Sequence, residues 1–289
     1  MSGELVVKNL RKNMGDFILG EISFKAYPGE ILGIIGENGS GKTSLIRTIL
    51  GAYKPEKNDG FIKLGDIDSY EKPKEYKREL AYVLEESVFN PSMKSEEIGK
   101  LYGKYYDGFD MTKYKKLLEE YGISLTKKIF DLSKGQKIRH QIAFAMSYDA
   151  SCYIFDEPTG NLDVDFRDEF YDLMRKIVED EKNMVIYATH LVDELERIAD
   201  RILWMDGGVV KFYGSLDELK DGFRIVEAAD SILSEIPPEM VVKKALTGIH
   251  SEAMVDMRKG NLSEELMGYT RMAELREIMY YSQTSMNED

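Results

Sequence analysis

Short apolar runs at residues 30–35, 81–84, 151–155 and 184–188 read as buried strands. Residues 4–10 and 21–27 instead alternate apolar with polar, as strands of an antiparallel edge sheet do, and Pro28-Gly29 turns the chain into the run at 30–35. The stretch SLIRTILGAY, which begins at Ser44, has helical periodicity. Residues from about 86 to 148 carry helical patterns and no strong strand, which predicts an inserted helical subdomain. Its last helix runs to about Tyr148, with Ile138, Ile142, Ala145 and Met146 at apolar positions. Beyond His190 the pattern predicts a helix and then a hairpin turning at Asp206-Gly207-Gly208. The final stretch predicts strands at 223–227 and 253–257, parted by Pro237-Pro238. A helix over 263–281 follows, with Leu266, Met272, Leu275, Ile278 and Met279 along one stripe.

Between the strand at 30–35 and the helix after it lie Gly36, Glu37, Asn38, Gly39, Ser40, Gly41, Lys42 and Thr43, the pattern G-x-x-x-x-G-K-T in the strand–loop–helix setting it needs. Such a loop turns backbone N–H groups inward around phosphate oxygens, and side chains in place of the glycines would block the approach. The helix N-terminus adds its positive end to the same anion. Lys42 is placed for the β- and γ-phosphates of a nucleoside triphosphate and Thr43 for Mg²⁺; Thr48, on the same helix, is grouped with the nucleotide-binding residues. Downstream, the strand at 151–155 ends in Asp156-Glu157. Adjacent strand residues point to opposite faces, so the two carboxylates can divide the work: Asp156 supporting Mg²⁺, Glu157 polarising an attacking water. A solvated acidic turn is the alternative for that pair taken alone.

Ser133 to Gln136 fits a capping box at the start of a helix. Gly135 in the first turn opens backbone N–H groups to an anion, so Ser133, Gly135 and Gln136 form a second candidate phosphate-binding surface. One loop already encloses one triphosphate, and a second surface makes sense if it closes over the nucleotide of a neighbouring copy.

Composition narrows the setting. With 43% hydrophobic residues the chain has material for a core, and its apolar runs are far shorter than the roughly 18 residues of a membrane helix. The start MSGELVVKNL lacks the marks of a secretory signal, and the single cysteine, Cys152, sits in an apolar run as a small buried hydrophobe; both predict a cytoplasmic protein. A net charge of −13 supplies no overall basic footprint, and no nucleic-acid partner is expected. Each motif occurs once, which predicts a single ATPase unit.

The segment Leu132-Ser133-Lys134-Gly135-Gln136 resembles the LSGGQ signature of ABC ATPases, with Lys134 in place of the first glycine. Order and spacing agree: Ser133 lies 91 residues beyond Lys42, and Asp156 another 23 beyond that. Gly160-Asn161-Leu162-Asp163 resembles the family's D-loop, and His190, after the strand at 184–188, its switch histidine. The resemblance implies an α/β phosphate-loop NTPase core with an antiparallel β subdomain, an inserted helical subdomain at about 86–150, and a small C-terminal α+β extension. It implies an ATP-binding and ATP-hydrolysing subunit, at the cytoplasmic face of the membrane, that pairs with a second copy or a similar ATPase subunit around two MgATP and drives a separate transmembrane permease. Asp163 would contact the opposing subunit and His190 would hold the γ-phosphate and the attacking water.

Three positions depart from the family pattern. Glu85 stands where a glutamine is usual, as in many exporter-type members, and can still ligate Mg²⁺ through oxygen. Met14 stands where an aromatic ring faces adenine; the thioether can pack on the base, or Phe17 can substitute. Lys134 brings a cation to the signature. The ATPase domain is expected over 1–221, and 222–289 resembles the extension of bacterial exporter ATPases, with dimerisation, regulation or plain packing as its role. The aromatics of 87–109 suit either local core or a docking surface. His140 and His250 match no motif and are expected at the surface. A chromosome-maintenance ATPase would need a long coiled coil before the signature, and a ribosome-associated factor a second ATPase unit; neither fits.

Overall fold

The computed structural model describes residues 3–54, 60–247 and 250–284. In chain order its strands are β1 (Leu5–Asn13), β2 (Ile18–Ala26), β3 (Ile31–Ile35), β4 (Phe61–Leu64), β5 (Ile67–Asp68), β6 (Leu80–Val83), β7 (Cys152–Asp156), β8 (Met184–Thr189), β9 (Arg201–Asp206), β10 (Val209–Ser215), β11 (Phe223–Ala228), β12 (Val241–Thr247), β13 (His250–Asp256) and β14 (Thr270–Met272). The helices are α1 (Lys42–Ile49), α2 (Pro73–Arg78), α3 (Ser95–Tyr102), α4 (Met111–Glu120), α5 (Lys134–Ala145), α6 (Val164–Val178), α7 (Val192–Ile198), α8 (Leu216–Asp221), α9 (Asp230–Leu233), α10 (Glu264–Met267) and α11 (Leu275–Thr284). The chain divides into two units, Met1–His190 with Ile198–Tyr213, and Leu191–Arg197 with Gly214–Asp289.

In the first unit a six-stranded sheet has the order β10-β9-β3-β8-β7-β6, with β3, β6, β7, β8 and β9 paired in parallel. Every residue of β3, β7 and β8 is buried, as expected of parallel strands covered on both faces. A second, antiparallel sheet runs β2-β1-β4-β5. Leu5, Val7 and Leu10 of β1 and Leu19, Ile22 and Phe24 of β2 share one core cluster with Leu45, Ile46 and Ile49 of α1 and with Leu32, Ile34, Ile154 and Ile186 of the parallel sheet. The pairing of β1 slips between Val7 and Leu10, where Asn9 takes φ +49°, and this bulge returns Leu10 to the core side. The loop after β3 is therefore anchored at both ends in one apolar body. Each fully buried Leu or Ile side chain contributes about 1.5–3 kcal/mol to it.

Between β6 and β7 the described structure is helical. Phe144 of α5 is its hub, with the rings of Phe89, Phe109, Tyr106 and Tyr114 at centroid distances of 5.0, 5.0, 5.6 and 5.9 Å. Most of the aromatics of 87–109 thus serve local packing, while Tyr105 stays exposed. His140 departs from expectation. It is fully buried, because the face of α5 that carries it turns into this aromatic cluster, and its Nε2 lies 2.8 Å from the Tyr114 hydroxyl. His250 begins β13, but its side chain lies outside the described residues.

The second unit is built on an antiparallel sheet ordered β12-β13-β11-β14. Strand β12 was not expected. Its residues Val241-Val242-Lys243-Lys244 break apolar alternation, yet it pairs along β13 from Val241 to Thr247. The single helix expected over 263–281 is two helices with a strand between them. Gly268 caps α10, and residues 270–272 pair with Arg224–Val226 of β11, leaving Met272 exposed rather than on an apolar stripe. The division at Tyr213/Gly214 also falls earlier than residue 221. In the second unit Lys220 of α8 pairs with Glu196 of α7 at 2.9 Å, and Glu196 accepts the Leu275 N–H at 3.1 Å.

Candidate functional site

Strand β3 ends at Ile35, and the loop that follows is folded by its glycines. A Cβ on Gly36 would stand 2.3 Å from the Met205 carbonyl oxygen, and Gly41, at φ +103°, lies in a left-handed conformation that side chains disfavour. Ser40 is buried; its N–H donates to the Glu37 carbonyl and its own carbonyl accepts from Gly208 N. Lys42, the first residue of α1, is buried with its chain folded back over the loop. Its Nζ donates to the carbonyls of Gly36 at 2.7 Å and Glu37 at 3.2 Å and lies 3.6 Å from Glu157 Oε1.

The parallel pairing of β7 with β8 sets the facing wall. Asp156 ends β7; Glu157 follows at φ +50°, its N–H donating to the Ala188 carbonyl, and its Oε2 lies 2.8 Å from His190 Nδ1. Carboxylate and imidazole thus meet because adjacent strands end together. Burial pushes the Asp156 carboxyl up to about 6, against the opposing hydrogen bond from the Thr43 hydroxyl. Its Oδ1 is buried with no hydrogen-bond partner among the described residues.

These groups border a cleft of about 710 Å³, whose walls include Glu37, Asn38, Lys42, Thr43, Glu157 and His190. Glu85 lies on it as well, as do Gly39, Gly41, Met14 and Phe17. Ser44 and Gly160 also line it; neither was singled out as a nucleotide contact from the sequence, although Ser44 directly follows the loop motif. Gly36, Ser40 and Asp156 are buried and are not among the residues that line it. Thr48 does not belong to the cleft: α1 turns it into the core, where it is fully buried and its hydroxyl donates to the Ser44 carbonyl at 2.7 Å.

Glu85 is steadied from α5. Gln141, almost fully buried, donates through Nε2 to the Leu84 carbonyl at 2.9 Å and accepts the Leu84 N–H through Oε1 at 3.3 Å. Nothing in the sequence motif marks Gln141, because its partner is a backbone brought up only by the fold. The signature segment lies outside this lining. Ser133 caps α5 by accepting the Gln136 N–H at 3.2 Å, and Gln136 Oε1 accepts both the Ser133 N–H and Lys127 Nζ at 3.2 Å, so the Gln136 side chain is occupied by the capping box. On the same helix Arg139 pairs with Asp163, the residue that caps α6, and stacks over Phe166 at 4.2 Å. Arg139 is a second residue that the motifs did not announce.

The sequence model of the family described as "ABC transporter" matches residues 19–160, from β2 to just past Glu157. An ABC transporter ATP-binding protein of Methanocaldococcus jannaschii is 31% identical over 250 residues, covering 84% of this chain and 90% of that protein. The ATP-binding protein YdbJ of Bacillus subtilis is 28% identical over 270 residues, or 90% of this chain and 85% of its own. Among solved structures, an ATP-binding subunit of an ABC transporter superposes with a TM-score of 0.68 at 27% identity, over 75% of this chain and 92% of that one. A dimeric ATP-binding cassette bound to ADP and Pi, at 24% identity and a TM-score of 0.63 over 73% of this chain and 98% of that one, shares the fold. With a relative matched along nine-tenths of its own length and the family's phosphate loop and carboxylate strand meeting in one cleft, this chain belongs to the ABC transporter family, as one of its ATP-binding and ATP-hydrolysing proteins.

Proposed function

We propose that two copies of this chain, or this chain and a similar subunit, close around two MgATP and drive a separate transmembrane permease. The observation that carries the reading is the Glu157 carboxylate, within 2.8 Å of His190 and 3.6 Å of Lys42 on the wall of the phosphate-loop cleft. Glu157 is positioned to orient a water for attack on the γ-phosphate and to draw off its proton. Lys42 meets the β- and γ-phosphate oxygens. The Glu157 carboxylate accepts from His190 Nδ1–H, so Nε2 is the ring atom left to face the γ-phosphate, and it donates there when the imidazole carries both protons.

The oxygen set of Thr43, Asp156 and Glu85 suits Mg²⁺, a hard cation, and the orphaned, buried Oδ1 of Asp156 is the feature that calls for one. Bound there, the ion would neutralise charge on the β- and γ-oxygens. The capped start of α5, with Ser133, Lys134 and Gly135, lies off this chain's own cleft, which supports its use on the nucleotide of the opposing subunit. Closed-state contacts on both faces of ATP let binding shift the pair towards closure, and hydrolysis resets it. Export is favoured by Glu85 in the glutamine position and by the C-terminal extension. Among the described residues no helix is long and apolar enough to cross a membrane.

Glu157→Gln tests the core of this reading. Turnover should fall by roughly 10²–10⁴-fold, the range for loss of a general base. Equilibrium ATP binding persists, and ATP shifts the variant to a dimer in light scattering. Unchanged turnover would overturn the role assigned to Glu157.

A further inference from the structure

The place of His190 is set from two sides. Its imidazole is about half exposed, so packing alone does not hold the ring; the bond to Glu157 and the backbone before and after it do. Upstream, Thr189 is buried and pairs with Ile35 of β3. Downstream, the chain leaves the first unit at once: residues 191–197, which carry nearly all of α7, belong to the second unit, and the first resumes at Ile198. Within the second unit α7 is held by two other helices. The half-buried Glu196 pairs with Lys220 of α8 at 2.9 Å and accepts the N–H of Leu275, the first residue of α11, at 3.1 Å. A helix start leaves such an N–H without an internal partner, and a carboxylate there also meets the positive end of the helix. One turn before Glu196, Asp193 pairs with Arg276 at 2.6 Å. Helix α11 is itself fixed by the buried Leu275 and Ile278 and by the hydrogen bond from Tyr281 to Glu252.

We propose that Glu196 is a positioning residue for His190: by tying α7 to α8 and α11 it fixes the backbone that leaves His190, and the C-terminal unit thereby governs turnover. The inference rests on the role given to His190 above and adds regulation of that same site. A hydrogen-bonded helix moves as one piece, so a shift at Glu196 is carried to Leu191 and across one peptide bond to His190. Displacing a reacting or orienting group by about 1 Å can cost a hundredfold in rate. Affinity should not follow, because the triphosphate cradle is anchored separately in β3 and α1, and every residue lining the cleft comes from the first unit.

The test uses the full chain with MgATP, reading kcat from phosphate release and affinity from displacement of trinitrophenyl-ATP. Glu196→Ala should lower kcat by roughly ten- to hundredfold and leave affinity unchanged. His190→Ala should lower kcat too, and adding Glu196→Ala to it should lower kcat no further, because the residue whose place it sets is gone. A merely structural loss, such as a smaller folded fraction, would lower kcat by the same factor in both backgrounds and would overturn the proposal, as would an unchanged or raised kcat in Glu196→Ala. The exposed pair gives a second test that does not depend on that variant folding. Arg276→Glu sets a like charge against Asp193 and should lower kcat about two- to fivefold, and Asp193→Arg in the same chain should restore it. A single variant at the wild-type rate, or a double variant no faster than the single, would overturn the proposal. If His190→Ala itself leaves kcat unchanged, the role given to His190 falls, and this inference with it; if His190→Ala lowers kcat and Glu196→Ala does not, this inference alone falls.

Discussion

Glu157 and His140 show how differently two single residues disclose themselves. Glu157 is readable from its neighbours in sequence, since a carboxylate pair after an apolar strand, downstream of a phosphate loop, has few other uses. What the sequence does not disclose is that its backbone sits at φ +50°, a conformation costing an L-residue about 1–2 kcal/mol, held by the bond to the Ala188 carbonyl. His140 matches no motif, and an expectation of exposure follows naturally from a polar residue on a capped helix. Its burial depends on the aromatic residues at 89 and 114, which are distant in sequence. The Tyr114 hydroxyl donates its one proton to the Ser95 carbonyl at 2.9 Å, so it accepts from His140 Nε2–H, and Nδ1 is left without a partner among the described residues. A second proton on Nδ1 would be buried and unbonded, and burial accordingly pushes the pKa of His140 down from 6.5 to about 4. Between those values the unfolded chain binds more protons than the folded one. The stabilisation is therefore full above pH 6.5 and declines as pH falls to about 4, by about 3 kcal/mol in total. Urea unfolding at pH 7.5 and pH 5 should show a smaller loss for His140→Gln than for the wild type; equal losses would refute the assignment.

At the scale of elements, the loop-to-helix junction is the most legible part of the chain. Its glycines, its lysine and the apolar strand before it all follow from the need to wrap backbone N–H groups around phosphate. Gly41 meets two demands at once, a left-handed backbone and room for the rings and methyls of the β1–β2 hairpin, since a Cβ there would stand 2.9 Å from Phe17 and 3.0 Å from Leu19. Gly41→Ala is expected to cost about 1–2 kcal/mol in backbone strain alone and to weaken nucleotide binding at least tenfold. Thermal melting and nucleotide titration read these two effects separately, and unchanged binding would show that the loop tolerates the side chain. Elements whose definition depends on a distant partner were harder to read. Strand β12 lacks alternation and exists because β13 offers an edge. Residues 270–272 carry part of a helical stripe, yet β11 captures them as a strand. In both cases pairing overrides local propensity.

On the scale of the whole molecule, the two units close their cores by separate means. The first surrounds α1 with two sheets. The second relies on a smaller apolar cluster and on polar closures, among them the buried Glu252 carboxylate, which accepts a hydrogen bond from the Tyr281 hydroxyl of α11. Tyr281→Phe withdraws that donor from a buried carboxylate and should destabilise the second unit by about 1–3 kcal/mol. Hydrogen exchange tests this directly: protection is expected to fall along β13 and β11, while β3 and β8 of the first unit keep theirs. Equal loss in both units would show that they unfold as one body.

Sequence alone determined the chemistry and the outline of this protein. The phosphate loop, the paired carboxylates, the capped signature helix and the alternation of apolar runs with polar turns are local patterns, and their physical reasons are local too: backbone freedom, capping and strand burial. Tertiary structure decided what depends on residues far apart. It brought His190 to Glu157 by pairing β8 with β7, set Gln141 against the backbone before Glu85, buried His140, turned Thr48 away from the cleft and split the last predicted helix. Those outcomes follow from the pairing and packing of distant segments, a free energy that no single stretch of sequence contains.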